Sequence, residues 1–239
     1  MKNFLNISDL STSDLRGIIE EAKSRKISRK DLNKVEVDPD EPLKGKYMVM
    51  IFEKPSTRTR ISFDVATKQL GGKSIFLNPE GIHYGKGDES LKDTAKVLSE
   101  YADIIMLRTS SHKNLEEFAN HLSVPIINGL SNESHPCQIM SDVLTFEELK
   151  GKIDGKSIAW IGDGNNNMSN SLIEAAVKLN FNLKIGCPEK YKPGSKILKW
   201  AKKNNASILI TKNPSQAVKN VDCVMTDKWV SINDKVNKK

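Results

Sequence analysis

The sequence predicts an α/β protein built from two doubly wound parallel-sheet domains. Short apolar runs with strand character alternate with amphipathic runs of helical length along nearly the whole chain, which is typical of parallel sheets covered by helices on both faces. A junction at 150–156 (KGKIDGK) separates two such alternations. We therefore expect a first domain at residues 1–150 and a second, incomplete domain at residues 151–239.

In the first domain, glycine, proline and helix-capping residues separate the predicted elements. Ser56 is suited to cap the helix that follows it, and Gly71 and Gly72 are suited to end that helix. A polar loop with three glycines spans 78–89. In chain order, we predict helix 14–26, strand 46–52, helix 57–70, strand 74–77, helix 91–101, strand 103–107, helix 114–122, strand 125–128 and helix 136–149.

After the junction the alternation restarts and stops just after a strand. We predict strand 157–161, helix 167–179, strand 183–186, helix 195–203, strand 207–210, helix 214–220 and strand 223–225. A doubly wound sheet normally has closing elements beyond this point, and the second domain is smaller than the ~100–150 residues usual for a domain. We therefore expect a C-terminally shortened chain.

Composition excludes several classes of protein. Of the 239 residues, 38% are hydrophobic, and no apolar run approaches the ~18 residues needed to cross a bilayer. The N-terminus has no continuous apolar stretch of the signal-peptide type, so we expect a cytoplasmic protein with no membrane partner. Cys137, Cys187 and Cys223 are far apart, which predicts neither a disulfide framework nor a structural metal site.

The charge is basic but dispersed. The formal net charge is +7, yet the lysines are spread along the chain without an aromatic-flanked cluster, so we expect no nucleic-acid partner. Only six of the 37 basic residues are arginines. In a chain so biased toward lysine, a retained arginine suggests a need for a planar, bidentate donor. Two of the six, Arg58 and Arg60, share one motif.

That motif, 52–60 (FEKPSTRTR), lies where a predicted strand gives way to a helix. The free N–H groups and the dipole of a helix N-terminus favour an anion. Ser56, Thr57 and Thr59 add hydroxyl donors, and Arg58 can bind a phosphate or carboxylate bidentately. The plainer interpretation is that the serine only caps the helix and the arginines are surface charges. The position at the carboxyl end of a strand favours the anion site.

Two further segments occupy equivalent positions. Arg108 follows the strand DIIML, and His135 opens the segment HPCQ, which starts a helix. A guanidinium, an imidazole and the Gln138 amide could together bind phosphate and polarise a carbonyl group as charge develops on its oxygen. Taken alone, a histidine at this position is more often a capping or loop residue than a catalytic one.

With these motifs in view, the chain resembles the aspartate/ornithine carbamoyltransferase family, and within it the ornithine enzymes. The resemblance is carried by 56–60 (STRTR), 135–138 (HPCQ), 160–166 (WIGDGNN) and 226–231 (TDKWVS), in order and spread over nearly the whole chain. Cysteine at the third position of HPCQ favours the ornithine branch over the aspartate branch.

The resemblance implies an activity and its partners. The expected reaction is transfer of the carbamoyl group of carbamoyl phosphate to the δ-amine of L-ornithine, giving L-citrulline and phosphate, within arginine metabolism. The first domain would bind carbamoyl phosphate and the second would bind ornithine. The resemblance implies no metal and no organic cofactor. It also implies a homotrimer with shared active sites.

It further implies a role for each matching residue. The implied catalytic residues are Arg58, Arg108 and His135. The implied substrate-binding residues are Ser56, Thr57, Thr59, Pro136, Cys137, Gln138, His83, Asn166, Asp227, Ser231 and Ile232. Among these, the hydroxyl-bearing residues of STRTR would hold the phosphate, and Asn166, Asp227 and Ser231 would hold the amino-acid end of ornithine. Arg60 would be structural.

The sequence departs from the family pattern at three places. His83 stands where ornithine enzymes commonly carry a glutamine that reaches a neighbouring subunit, and Ile232 stands where they usually carry methionine. The family's His-Cys-Leu-Pro segment, whose cysteine assists catalysis, has no counterpart up to residue 239.

Three alternatives follow from these observations. A non-catalytic carbamoyl phosphate-binding or interaction protein, derived by C-terminal loss, would carry the same motifs. An aspartate, putrescine or other amine carbamoyltransferase would share the chemistry, although Asn166 and Asp227 argue against aspartate. A dinucleotide-binding turn at 162–167 (GDGNNN) is the third, although this partial glycine pattern is weak support.

Overall fold

The computed structural model describes residues 3–78 and 89–227, and in this part of the chain helices and strands alternate as predicted. In chain order the elements are α1 (Thr12–Ser28), β1 (Tyr47–Phe52), α2 (Thr57–Gln69), β2 (Lys73–Leu77), α3 (Leu91–Tyr101), β3 (Ile104–Arg108), α4 (His112–His121), β4 (Ile126–Leu130), α5 (Pro136–Lys150), β5 (Ser157–Ile161), α6 (Asn167–Leu179), β6 (Asn182–Gly186), α7 (Ser195–Lys203), β7 (Ile208–Thr211), α8 (Pro214–Val218) and β8 (Cys223–Met225). Short 3-10 helices lie at Ile7–Asp9 and Glu189–Tyr191.

The strands form two parallel sheets, which confirms the predicted fold class. One sheet has the order β2-β1-β3-β4 and the other has the order β7-β6-β5-β8. In each sheet the strand that comes first in the chain, β1 or β5, is an inner strand. The following strands are added on one side of it, and the chain then returns to add strands on the other side. The winding therefore reverses between β1 and β3, and again between β5 and β8. Ligands of such sheets bind at the carboxyl ends of the strands at these switch points.

The described part of the chain divides into two compact units, and the expected domain boundary after residue 150 stays a prediction. Unit 1 comprises the described residues up to Leu5 together with Glu20–Ser131, and unit 2 comprises Asn6–Ile19 together with the described residues from Asn132 onward. Helix α5 thus belongs to unit 2, because it packs against α6 and lines an apolar cavity with β5 and β8. Helix α1 contributes residues to both units.

Unit 1 buries both faces of its central strands. Because successive side chains of a strand point to opposite faces, β1 and β3 supply residues to two clusters, as expected for a parallel sheet covered on both sides. On one face the cluster contains Val49, Ile51, Ala95, Ala102, Ile105, Leu107, Leu115, Phe118, Ala119 and Ile126. On the other face it contains Met48, Met50, Phe52 and Met106, with Phe63 of α2 packed against them.

Two arginines fix the segment that leads to β1. Arg25 and Arg29 both bind the buried carboxylate of Asp38, and the N–H of Asp38 donates to the carbonyl of Gln69 at the end of α2. These two arginines therefore have a structural role in unit 1.

In unit 2, residues 6–19 are held against α6 by hydrogen bonds from both sides. The N–H of Ser8 donates to Glu174 Oε2 at 3.1 Å, and Lys178 Nζ donates to the carbonyl oxygen of Leu10 at 2.8 Å. Glu174 is buried. Burial raises the pKa of the Glu174 carboxyl to about 7, assisted by the nearby charge of Asp9, although hydrogen bonds from Ser8 act in the opposite direction.

We expect Glu174→Gln to make the stability of the protein less sensitive to pH. A glutamate in the unfolded chain titrates near ~4.3, whereas Glu174 in the folded protein titrates near 7. The folded state therefore binds more protons between these values, so the free energy of unfolding falls as the pH rises through this window. Between pH 4.5 and pH 8 the native chain should therefore lose about 3 kcal/mol of stability that the variant does not lose.

Urea unfolding of both chains between pH 4.5 and pH 8 checks this expectation. Glu100→Gln, at an exposed position of α3, serves as the control, and its stability should change with pH as that of the native chain does. A constant stability difference between Glu174→Gln and the native chain across this range would contradict the prediction.

Among the helices that the structure describes, none combines the length and the apolar character that crossing a membrane requires.

Candidate active site

The switch point of unit 1 brings together the two basic segments singled out in the sequence. Phe52, the last residue of β1, pairs with Arg108, the last residue of β3. The loop that follows β1 leads directly into α2, so the N-terminus of α2 and Arg108 lie at the same edge of the sheet. We call Ser56, Thr57, Arg58, Thr59 and Arg108 the anion cluster.

Ser56 occupies the N-cap position of α2, but its side chain makes no capping hydrogen bond. The prediction that its hydroxyl caps the helix is therefore wrong. Its backbone is extended, with φ −156° and ψ 104°. Because the first N–H groups of a helix have no partner inside the helix, this end of α2 presents both backbone and hydroxyl donors. Thr57 and Arg58 are exposed, and Thr59 is half-buried.

Arg108 is a half-buried member of the anion cluster. Its Nη1 donates to Thr59 Oγ1 at 3.3 Å, whereas its Nε is buried and has no hydrogen-bond partner among the described residues. Burial lowers the pKa of the Arg108 guanidinium. Buried donors nearly always have an acceptor in a folded protein, so an anion bound beside Thr59 would supply what the protein itself does not.

A β-bulge sets the position of Arg108. The pairing of β3 with β4 shifts register between Leu107 and Arg108, so that Arg108 pairs with Leu130 and Gly129 is skipped. Bulges of this kind redirect side chains at the ends of strands. A Cβ on Gly129 would lie only 2.4 Å from Met106 Sδ, so glycine lets the two strands approach closely here.

The second arginine of STRTR is used differently from the first. The guanidinium of Arg60 lies over the rings of Phe52 and Phe76, 5.3 Å and 5.1 Å from their centroids. This contact agrees with the structural role expected for Arg60. By contrast, neither Arg58 nor Arg108 forms an ion pair with any residue that the structure describes.

In unit 2, His135 begins α5 and its backbone is fixed by α6. The N–H of His135 donates to Ser171 Oγ at 2.9 Å, and Ser134 Oγ lies 3.1 Å from the same atom. Pro136 fills the first helical position and is buried, as is common for proline at the start of a helix. The sequence therefore holds the imidazole at a defined helix start.

The next two residues differ in character. Burial raises the pKa of the Cys137 thiol to about 12, so this sulfur stays protonated and is not a thiolate nucleophile. Gln138 is exposed, and its Nε2 donates to Asp142 Oδ1 at 3.0 Å. Burial raises the pKa of the Asp142 carboxyl.

Among the described residues, no group of three or more His, Cys, Asp or Glu side chains could hold a metal ion.

The loop after β5 forms the corresponding edge of unit 2. Asn166 caps α6, since its Oδ1 accepts from the N–H of Ser169 at 2.8 Å and its Nδ2 donates to the carbonyl of Asp163 at 3.0 Å. The amide thus shapes the loop, and its Oδ1 and Nδ2 can each make one further hydrogen bond. Gly164 is needed for packing, because a Cβ there would lie 2.9 Å from the carbonyl oxygen of Tyr191.

The remaining predicted residues are placed only in part. Asp227, just beyond β8, is exposed and follows the strand that borders β5 at the switch point of unit 2. His83, Ser231 and Ile232 lie outside the described residues. The roles expected for these four residues stay predictions.

Comparison with known proteins identifies the family. Residues 2–148 match the family model "Aspartate/ornithine carbamoyltransferase, carbamoyl-P binding domain", and residues 154–239 match "Aspartate/ornithine carbamoyltransferase, Asp/Orn binding domain". The chain belongs to the aspartate/ornithine carbamoyltransferase family. The family expected from the four sequence motifs is thereby confirmed.

Curated relatives and solved structures place this carbamoyltransferase among the ornithine enzymes. It is 47% identical to the ornithine carbamoyltransferase of Rhizobium meliloti (strain 1021) over 232 residues, which cover 97% of this chain and 74% of that protein. Among solved structures, the ornithine carbamoyltransferase from Pyrococcus furiosus superposes with a TM-score of 0.90 at 40% identity, covering 98% of this chain and 74% of that one. The anabolic ornithine carbamoyltransferase from Campylobacter jejuni gives 0.88 at 36% identity, covering 100% and 76%.

The anion cluster of this carbamoyltransferase falls within the part that matches the carbamoyl-P binding model. Asn166 and Asp227 fall within the part that matches the Asp/Orn binding model. One residue of the site region had no role in the sequence-based interpretation: Glu53, which contacts the residues next to Arg108. The only signal in the sequence is an acidic residue inside the otherwise basic motif 52–60.

Proposed function

We propose that this chain transfers the carbamoyl group of carbamoyl phosphate to the δ-amine of L-ornithine, giving L-citrulline and phosphate. The observation that carries the proposal is the anion cluster. At the switch point of unit 1 lie a helix N-terminus, three hydroxyl groups and two arginines without an ion-pair partner among the described residues. Together these donors would bind a phosphorylated substrate. The family match and 47% identity to an ornithine carbamoyltransferase support the same activity.

The chemistry of the anion cluster follows from its donors. The N-terminus of α2 and the hydroxyls of Ser56, Thr57 and Thr59 would hold the phosphate group, and Arg58 would bind it bidentately. When the deprotonated δ-amine attacks the carbonyl carbon, a C–N bond forms and negative charge develops on the carbonyl oxygen. Arg108, held in place by Thr59, would stabilise that oxyanion.

The collapse of the tetrahedral intermediate completes the reaction. The C–O bond to phosphate breaks, phosphate leaves with the bonding electron pair, and the attacking nitrogen loses a proton. In this proposal His135 and Gln138 bind the carbamoyl group, with Pro136 and Cys137 shaping the same helix start. Asn166, Asp227, Ser231 and Ile232 bind the amino-acid end of ornithine.

We also propose that the chain assembles as a homotrimer. Apolar side chains remain exposed on the outer part of unit 1: Ile61 and Val65 of α2, and Ile75 and Phe76 of β2. Such a group of residues on and beside an edge strand favours coverage by another chain. Light scattering should then give three times the chain mass of 26.7 kDa. A cytoplasmic location stays a prediction.

Formation of citrulline by the purified chain tests the function. The chain is mixed with carbamoyl phosphate and ornithine, and parallel reactions replace ornithine by aspartate or putrescine. We expect product only with ornithine. Turnover with putrescine or aspartate instead would assign a different acceptor.

A second measurement separates the enzyme from a non-catalytic binding protein, the alternative that the comparisons do not favour. Carbamoyl phosphate should raise the melting temperature of the chain, since a ligand that binds only the folded state stabilises it. A rise in melting temperature without citrulline formation would point to the binding protein. No rise and no turnover would contradict the proposed function.

A further inference from the structure

Glu53 ties together the two loops that carry the anion cluster. It directly follows β1, and its carboxylate Oε2 accepts from Thr109 Oγ1 at 2.7 Å, from the N–H of Ser110 at 3.0 Å and from Ser110 Oγ at 3.4 Å. Its own N–H donates to the carbonyl of Arg108 at 2.9 Å. Every one of these contacts is to Arg108 or to one of the two residues after it.

The residues that Glu53 contacts are themselves well anchored. Thr109 is fully buried, and its N–H donates to the carbonyl of Leu130 at 3.0 Å. Its hydroxyl also accepts from the N–H of Ser111 at 3.1 Å. The hydroxyl of Ser111 in turn caps α4 by accepting from the N–H of Asn114. Glu53 therefore joins the β1–α2 loop to a rigid segment.

The charge of Glu53 is satisfied by hydroxyl and N–H donors. No cationic side chain among the described residues lies within ion-pair distance of this carboxylate. Hydrogen bonds to a charged acceptor are shorter and stronger than neutral ones. These hydrogen bonds hold the two loops together without involving the guanidinium of Arg108. Its donors therefore remain available for Thr59 and for a bound anion.

We propose that Glu53 is a positioning residue for anion binding, which holds Arg108 and the N-terminus of α2 at the spacing that one phosphorylated substrate requires. The proposal rests on the proposed function. It assigns Glu53 no contact with the substrate: the residue acts through Thr109 and Ser110 on Arg108, whose Nη1 contacts Thr59.

Asp103 provides a matched control at the amino ends of the same two strands, β1 and β3. Asp103 precedes β3, and its carboxylate accepts from the N–H of Tyr47 at 2.9 Å and from Lys46 Nζ at 2.8 Å. It therefore joins β1 to β3 at their amino ends, as Glu53 joins them at their carboxyl ends. These hydrogen bonds lower the pKa of the Asp103 carboxyl. Its loss should affect the sheet but not the anion cluster.

The test compares Glu53→Gln with Asp103→Asn in the full chain. Calorimetric titration with carbamoyl phosphate and with inorganic phosphate gives the affinities, and steady-state kinetics gives the KM for each substrate. We expect Glu53→Gln to weaken binding of both anions about tenfold, as the loss of one to two charge-assisted hydrogen bonds implies. The KM for ornithine should change less than about twofold, because the unit 2 residues are untouched.

Asp103→Asn should lower the melting temperature about as much as Glu53→Gln while leaving both anion affinities unchanged. Equal weakening by the two variants, or affinities within twofold of the native chain for Glu53→Gln, would overturn the positioning role. If Glu53→Gln fails to fold, Thr109→Val replaces it, since it removes the hydroxyl that donates to Glu53, together with the hydrogen bond that this hydroxyl accepts from the N–H of Ser111. The same tenfold weakening is expected, and native affinity in this variant would overturn the proposal.

The native chain distinguishes this proposal from the proposed function. If it binds neither carbamoyl phosphate nor phosphate, the proposed function fails and the role of Glu53 fails with it. If it binds both and forms citrulline while the Glu53 variants bind as tightly, only the positioning role is overturned.

Discussion

Replacing Arg108 with lysine is expected to slow citrulline formation by about a hundredfold or more. Loss of one preorganised donor to a developing oxyanion typically has an effect of ~10²–10³ on kcat. Lysine keeps the charge but cannot donate to Thr59 and to a bound anion from one planar group. The buried Nε of Arg108, which has no acceptor among the described residues, would also be lost. Initial rates at saturating substrates measure the effect.

Arg60→Lys is the matched control for this substitution. Arg60 belongs to the same basic motif, but its guanidinium lies over Phe52 and Phe76, where an ammonium can keep a cation–π contact. We expect the control to retain a rate within about threefold of the native chain. A similar loss of rate in both variants, or a near-native rate for Arg108→Lys, would argue against the role assigned to Arg108.

We expect Arg16→Met to lower the free energy of unfolding by about 3 kcal/mol, because it removes the guanidinium that binds a buried carboxylate. The side chain of Glu147 is 0% exposed and binds Arg16 Nη1, and its Oε1 also accepts from the N–H of Ile153 at 3.0 Å. Urea unfolding followed by circular dichroism measures the change.

Two further variants test whether the buried charge of Glu147 causes this loss of stability. Arg16→Met combined with Glu147→Gln should recover part of the loss, since glutamine removes the charge but still accepts from Ile153. Lys44→Met breaks an exposed pair with Glu41 and should change the stability by less than about 1 kcal/mol. A loss after Arg16→Met no larger than that of Lys44→Met would contradict a buried charge pair at this position.

The parts of the fold that follow from local signals could be predicted from the sequence. Strand 157–161 and helix 167–179 were placed at their observed limits, because an apolar run and a capping asparagine mark them. Helix α8 was predicted to be too long, at 214–220: the backbone is already extended at Lys219. The limits of helices and strands depend on a few neighbouring residues. The predicted limits therefore differ from the observed ones by one helical turn or less.

Side-chain roles are harder to predict, because residues of the same type in the same local sequence context make different hydrogen bonds. Ser90 and Ser111 accept from the N–H of Asp93 and Asn114 and so cap their helices, whereas Ser56 precedes a helix in the same way and makes no such bond. A serine before a helix therefore does not by itself show that its hydroxyl will cap that helix.

Contacts between distant parts of the chain could not be predicted from one sequence. Glu53 and Thr109 are 56 residues apart, and nothing in their immediate neighbours indicates that they meet. The placement of α5 in unit 2 has the same origin, since it depends on packing against α6. The proposed anion-binding residues could be predicted because STRTR is a local motif, whereas Glu53 could not be, because its partners are remote.

The division of the chain has a consequence for how the protein is made. Residues 6–19 belong to unit 2, and their contacts span most of the polypeptide: Ser8 and Glu174 are 166 residues apart, and Arg16 and Glu147 are 131 apart. Ribosomes add roughly 5–20 residues per second, so this segment waits about 7 to 30 seconds for its partners. Unit 1 can begin to fold in that interval, while the early segment remains available to chaperones until α6 emerges.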